Sequence, residues 1–281
     1  MTNKTVLITG CSSGIGLHLA QSLKESGYHV LASARKLEDV ENLSNLGLRS
    51  IQLDVSDSSS IQTAVKALLE KTNGKLYALI NNAGFGQPGA VEDLGRETLR
   101  DQFETNLFGL VELTNAVLPV MHQQGFGRII QISSVLGFVA MPFRGAYIAS
   151  KFALEGISDT LRMELKNTNI HVSLVEPGPI TSRFRENSLI LFNKNINSEK
   201  SRFHTQYQST ISRLETKGPA VPFTLGPEAV TKKVLHALNS SSPKSRYYVT
   251  FPTYLFAYLK RFLSTTFLDR ILSRSSKIEA K

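Results

Sequence analysis

The segment Tyr147-Ile148-Ala149-Ser150-Lys151 sets a phenol and an ammonium four residues apart. On a helix that spacing puts both on one face. A tyrosine titrates near pKa 10 in isolation, and a neighbouring cation lowers such a value by about 1–3 units. That would bring Tyr147 towards a useful acid/base range, although Tyr-x3-Lys on its own is common and equally fits a solvated helix face. Ser134, thirteen residues before Tyr147, follows a strand-like run and offers a hydroxyl to polarise a carbonyl. Asn106 lies in the preceding helical stretch, in Asn106-Leu107-Phe108-Gly109. Upstream, Thr9-Gly10-Cys11-Ser12-Ser13-Gly14-Ile15-Gly16 follows the first strand-like run and opens a helix-like one. Glycines there admit a pyrophosphate close to the backbone, and a helix N-terminus supplies unpaired N–H groups. The Gly-x3-Gly-x-Gly spacing departs from the usual Gly-x-Gly-x2-Gly and on its own also fits an ordinary glycine-rich turn. Asn81-Asn82-Ala83-Gly84 ends another strand-like run, at the edge where open parallel sheets bind ligands.

These groups need a scaffold, and the hydrophobic pattern predicts one. Apolar runs at Val6–Ile8, Tyr28–Ser33, Ser50–Leu53, Leu76–Ile80, Arg128–Ile132 and Ile170–Val175 read as buried strands. Helix-spaced segments fall between them, at Ile15–Lys24, Val40–Leu46, Ile61–Glu70, Phe103–Met121 and Ala146–Lys166. The alternation predicts βαβ units in a parallel sheet. The fold class expected is a single-domain α/β protein: a Rossmann-type doubly wound parallel sheet of about seven strands, with helices on both faces. The domain spans residues 1–250. Within it, residues 179–225 lack a strong helical or strand period and read as a substrate lid that is mobile without ligand. Gly226-Pro227-Glu228 starts another helix and Arg246–Thr250 forms a last strand.

Residues 251–281 form a basic, amphipathic extension. Tyr254, Leu255, Tyr258, Leu259, Phe262 and Leu263 fall at helical spacing, and residues 252–273 read as one helix. Its apolar stripe is expected to pack on the domain; contact with an anionic membrane surface is the second reading.

The chain has 281 residues, enough for a sizeable core, with 41% apolar and 20% charged residues. One cysteine excludes a disulfide framework and a multi-cysteine metal site. None of the six histidines stands at metal-ligand spacing, so no metal is expected. The start of the chain lacks the flanks of a signal peptide, and a cytoplasmic location is expected. The net charge of +9 follows no nucleic-acid motif. Cys11 reads as a small residue tolerated beside a phosphate, His18 as helix surface, and Glu92 and Asp93 as caps of the next helix.

In order and spacing, the glycine motif, Asn-Asn-Ala-Gly, Asn106, Ser134, Tyr147-x3-Lys151 and Pro177-Gly178 together resemble the short-chain dehydrogenase/reductase family. The resemblance covers roughly residues 3–250. Gly226-Pro227-Glu228-Ala229 and the basic aromatic tail are similar to a bacterial NADP-dependent aldehyde reductase branch, itself similar to retinol and 17β-hydroxysteroid dehydrogenases. The resemblance implies Tyr147 as proton donor, Lys151 as its partner and a ligand of the nicotinamide ribose, Ser134 as carbonyl-orienting hydroxyl, and Asn106 as holder of a relay water. It implies a dinucleotide held by Gly10, Ser12, Ser13, Gly14, Ile15, Gly16, Asp54, Val55, Asn82, Ala83, Gly84, Pro177, Gly178 and Thr181, besides Tyr147 and Lys151. It also implies a homodimer or homotetramer built through the helices of Phe103–Met121 and Tyr147–Lys166.

The cofactor choice rests on the end of the second strand. NAD enzymes place an acidic residue there for the ribose 2′-OH. Here Ala34 and Arg35 stand in its place, and Arg35 offers a 2′-phosphate a planar fork of donors, so NADP(H) is expected. The expected activity is reversible hydride transfer between NADPH and an apolar aldehyde or ketone. A 3-oxoacyl carrier-protein reductase and a non-enzymatic NADPH-binding regulator are the alternatives.

Overall fold

The computed structural model describes residues 4–219 and 221–278. Seven parallel strands form one sheet: β1 (Thr5–Ile8), β2 (His29–Ala34), β3 (Arg49–Gln52), β4 (Ala78–Asn81), β5 (Gly127–Ile132), β6 (Ile170–Glu176) and β7 (Arg246–Tyr248). Their order is β3-β2-β1-β4-β5-β6-β7. The order reverses between β1 and β4, and the first glycine-rich turn and Asn82 both leave the sheet at that switch point, where ligands of such sheets bind. The helices of the first half are α1 (Gly14–Glu25), α2 (Leu37–Asn45), α3 (Ser58–Thr72), α4 (Arg96–Phe103), α5 (Gly109–Gln124) and α6 (Gly145–Glu164). They are followed by α7 (Phe184–Asn195), α8 (His204–Glu215), α9 (Glu228–Asn239), α10 (Phe251–Phe262) and α11 (Thr265–Ile278). The doubly wound fold read from the sequence is the fold observed.

Both faces of the sheet are buried, which is why its strands are near-continuous apolar runs. Successive side chains of β1 serve opposite cores. Val6 and Ile8 pack with Leu19 and Leu23 of α1 and Val230 and Val234 of α9. Leu7 packs with Ile61 and Leu68 of α3 and Leu113 and Val117 of α5 on the other face.

Three expectations need correction. The helix read over Phe103–Met121 starts earlier, at Arg96, and is interrupted by a π-helical turn over Glu104–Phe108. Residues 179–225 are not irregular: they carry α7 and α8. These helices bury Phe192, Ile196, Tyr207 and Leu214 in a satellite cluster with Ala90, Leu94 and Ala146. The period is present but diluted, because each helix buries only a narrow strip of its surface. The single tail helix read over 252–273 is two helices, with Leu263 extended between them.

Candidate active site

The site is assembled where β1, β4, β5 and β6 end. The turn after β1 passes so close to the turn after β4 that a side chain has no room: a Cβ on Gly10 would stand 2.8 Å from Ala83 Cα, and one on Gly16 2.1 Å from the Gly10 carbonyl oxygen. Asn82 locks the two turns, its Nδ2 donating to the carbonyls of Thr9 and Gly10 at 2.9 and 3.0 Å. Thr9 Oγ1 accepts from the amides of Asn82 and Ala83. Gly10 and Gly14 take φ of +70° and +58°, which glycine adopts without cost. The result is an open backbone cradle at the N-terminus of α1, with Ser12, Ser13, Gly14 and Ile15 along its rim. The donor set fits a pyrophosphate.

Other proposed cofactor ligands border the same edge. Arg35 is exposed just beyond β2, and among the described residues its side chain has no hydrogen bond or ion pair. Asp54 accepts from Ser56 N and Oγ, and Val55 is buried against Gly109. Pro177 accepts from Val135 N at 2.8 Å, which ties β6 to the Ser134 loop. A Cβ on Gly178 would lie 2.1 Å from Thr250 Oγ1, so this glycine lets the start of the tail approach the cofactor loop. Thr181 is exposed and its amide donates to Leu225 O.

The four catalytic candidates converge. Ser134 caps a short 3-10 turn, Val135–Gly137, and its Oγ accepts from Leu136 N at 3.1 Å. The Tyr147 hydroxyl is hydrogen-bonded to Ser134. Lys151 Nζ is buried, donates to Ile132 O at 2.8 Å and stands 5.8 Å from the Tyr147 ring centre. A methyl built on Gly84 would lie 3.2 Å from Asn106 Oδ1 and 3.9 Å from Lys151 Nζ, so these groups meet around one point. Asn106 is fully buried in the π turn, with Nδ2 donating to Phe85 O and Ser150 Oγ and Oδ1 accepting from Phe85 N.

The electrostatics differ from the sequence-based expectation for Tyr147. Burial of its hydroxyl pushes it up to about 12, against a smaller lowering by Ser134. Lys151 is lowered to about 8 by burial, against an opposing pull from Glu155. The unliganded protein therefore holds Tyr147 firmly as a neutral phenol.

Several residues that matter here carry no motif. Glu155 and Asp159 follow Lys151 at four-residue steps along α6. Arg246 of β7 pairs with Glu155 and Asp159 at 2.8 Å and reaches Glu176 at 3.1 Å. Glu155 and the fully buried Glu176 are both raised, first by burial. The Lys151-x3-Glu155-x3-Asp159 spacing is the signal that could have found this network. Phe184, the first residue of α7, lies edge-on to Tyr147 with ring centres 5.4 Å apart.

Two minor readings change as well. His18 is not helix surface: it is partly buried, 2.8 Å from Thr231 Oγ1 between α1 and α9. Glu92 and Asp93 do not cap α4, whose N-cap is Gly95. Glu92 pairs with Arg202, and Asp93 accepts from Ser201 and Tyr207, so both anchor the segment around α8. Cys11 is fully buried, its thiol donates to Ile8 O, and burial pushes it up to about 12, which makes it unreactive. No group of three or more His, Cys, Asp or Glu among the described residues could hold a metal.

The family model for short chain dehydrogenase matches residues 4–189. An uncharacterized oxidoreductase of Escherichia coli K12, YbbO, is 45% identical over 269 residues, covering 96% of this chain and 94% of that protein. Human 17-beta-hydroxysteroid dehydrogenase type 1 is 35% identical, over 89% of this chain and 78% of its own. Among solved structures, a short-chain dehydrogenase from Streptomyces avermitilis superposes with a TM-score of 0.76 at 28% identity, covering 93% of this chain and 97% of that one.

Proposed function

Since the chain belongs to the short-chain dehydrogenase family of oxidoreductases, we propose that it is an NADPH-dependent reductase of apolar aldehydes or ketones, reversible as an alcohol dehydrogenase. The observation that carries this reading is the convergence of Ser134, Tyr147 and Lys151 beside a backbone cradle that only glycine can line. NADPH, when bound, supplies the hydride that reduces the carbonyl carbon. Everything else falls to this chain's side chains. Ser134 Oγ accepts from Leu136 N and its proton faces the Tyr147 oxygen, from which a bound substrate carbonyl oxygen would take it over. Tyr147 gives that oxygen its proton, and a phenol raised to about 12 is fully protonated at neutral pH for the purpose.

Lys151 has three donors and uses one on Ile132 O. The other two would be available to the nicotinamide ribose and to a relay water near Asn106. Gly10, Ser12, Ser13, Gly14, Ile15 and Gly16 would receive the pyrophosphate, with Asn82, Ala83 and Gly84 lining the ribose side. Asp54 and Val55 would bound the adenine, and Pro177, Gly178 and Thr181 the carboxamide. Arg35, exposed and without an ion pair among the described residues, would bind the 2′-phosphate; a carboxylate in its place would repel it.

The apolar walls offered to substrate are Val135, Leu136, Val139 and Phe184 around Tyr147. Exposed Phe152, Ile157 and Met163 on α6, with Phe108 of the π turn, would supply apolar surface for the homodimer or homotetramer proposed here, and a cytoplasmic location is part of the same proposal.

The test is turnover. Tyr147→Phe should cut NADPH-dependent carbonyl reduction by about 10²–10⁴ while leaving NADPH affinity nearly unchanged. Near-normal turnover by this variant would overturn the assignment.

A further inference from the structure

Helix α10 buries one face and exposes another that is not polar. Thr253 and Phe256 point inward, and Phe256 joins Leu268 and Leu272 of α11 against Leu136, Val139 and Ile148, with Leu259, Leu263, Val135 and Tyr147 packed alongside. The outward face carries Phe251, Tyr254, Leu255, Tyr258 and Phe262, at steps of 3, 1, 3 and 4 residues. That is a continuous helical stripe. These side chains are exposed, Tyr258 to 59% and Phe262 to 81%. Phe223, also exposed, lies against Phe251 with ring centres 5.0 Å apart and widens the patch, and Phe267 of α11 is exposed as well. The expectation that this stripe is buried therefore holds only for Leu259 and Leu263.

The rim of the patch is cationic. Arg261 borders the stripe on α10 and Lys233 of α9 donates to Tyr254 OH at 3.2 Å, while Lys260 lies on the far side of the helix over the Phe152 ring; Arg270 and Arg274 stand exposed on α11. From Ser240 to the end of the sequence there are eight Lys/Arg and two Asp/Glu, which gives this stretch six of the nine net positive charges. Helix α10 itself has no acidic residue. A second copy of the chain seated on the patch through a two-fold axis would bring these cations against their own equivalents, which disfavours it. A surface that is apolar at depth and anionic at the level of the cations matches both parts of the pattern. Phenylalanine enters the acyl boundary, tyrosine sits at the headgroup level, and lysine and arginine meet lipid phosphates. No helix among the described residues is long and apolar enough to cross a membrane, so the geometry is that of a helix lying on one.

We propose that the outer face of α10, extended by Phe223, docks this protein on anionic phospholipid bilayers. The inner face of the same helix packs in the cluster that contains Tyr147, so docking sets the catalytic wall about one helix diameter, ~10 Å, from the lipid.

Co-sedimentation of the full chain with vesicles tests this. The protein should pellet with mixed phosphatidylglycerol–phosphatidylcholine vesicles, weakly or not at all with phosphatidylcholine alone, and less as salt rises. The double exchange Tyr258→Ser/Phe262→Ser, at two exposed positions away from the catalytic groups, should weaken vesicle binding about tenfold or more. Its thermal melting and its reduction of a water-soluble carbonyl should be unchanged. Should the double variant melt early, the single exchange Phe262→Ser carries the same expectation. Absent binding to the anionic vesicles, equal binding to neutral ones, or undiminished binding by a folded variant would overturn the proposal. So would a dimer in solution that the same exchanges dissociate, since a second copy would then cover the patch. The vesicle-binding and melting outcomes do not depend on the reductase reading, which turnover tests separately.

Discussion

Replacing Glu155 with glutamine isolates what the buried carboxylates do to the active-site lysine. Burial alone favours the neutral amine of Lys151, and the charge on Glu155 opposes it, which leaves the group at about 8. Residues four apart on a helix face each other at about 6 Å. At an effective dielectric of about 20, a unit charge there stabilises the ammonium by about 3 kcal/mol, or about two pKa units. Arg246, 2.8 Å from Glu155, cancels part of that field, and Glu155 shares its ionisation with Glu176, so a shift of about one unit is expected. The sign follows directly. Glu155→Gln removes the carboxylate that helps hold the proton, so the alkaline limb of kcat/KM for NADPH should move from near 8 to lower pH.

Glu176→Gln should move the limb the other way, by less. With Glu176 uncharged, the negative charge of the pair is confined to Glu155, which is the carboxylate that acts on Lys151. The remaining charged neighbours, Asp159, Arg162, Arg246, Lys260 and Arg261, are the same in both variants, as is Tyr248. The assay is the pH dependence of kcat/KM for NADPH, which reports groups of the free enzyme. Two limbs that move in the same direction, or neither moving, would refute the reasoning. A merely structural role for the pair would not produce opposite signs.

Arg35→Ala should weaken NADPH selectively over NADH, by about ten- to 150-fold for the loss of a charge-assisted pair of about 1.5–3 kcal/mol, measured by cofactor titration. Equal efficiency of the unmodified enzyme with both cofactors would contradict it. Tyr207→Phe removes a buried hydroxyl that accepts from Ala90 N at 2.8 Å and donates to Asp93, so it should cost about 1–3 kcal/mol in denaturant unfolding and alter substrate preference more than NADPH affinity. A loss within experimental error would show that this anchor is dispensable.

The sheet and the cradle were legible because both rest on local rules. Buried parallel strands are apolar without interruption, and the positions at Gly10 and Gly16 tolerate no side chain. Ser134, Tyr147 and Lys151 were legible for a similar reason, since they leave strand and helix ends at short range. The helices at 184–195 and 204–215 were not, because their anchors are long-range. Tyr207 is held by Ala90 and Asp93, more than a hundred residues earlier, and no window along the chain contains both sides of that bond. Arg246 likewise meets Glu155 and Asp159 across ninety residues of sequence. The direction of the Tyr147 shift was misread because proximity in sequence shows the lysine but not the desolvation of the phenol, and here desolvation is the larger effect.

The π turn at Glu104–Phe108 makes one residue count for more than its side chain. Such a turn holds one residue beyond what a regular helix would use, and each residue rotates a helix by about 100°. Asn106 faces Phe85 and Ser150, while Gly109 meets the Val55 carbonyl at a point where a Cβ would lie 1.5 Å away. Both approaches depend on how this turn sets the residues within it and after it. Deleting any single position between Arg96 and Gly109 would straighten the helix and turn one of the two surfaces away from its neighbour. The segment is thus tolerant of substitution at its exposed positions and intolerant of any change in length.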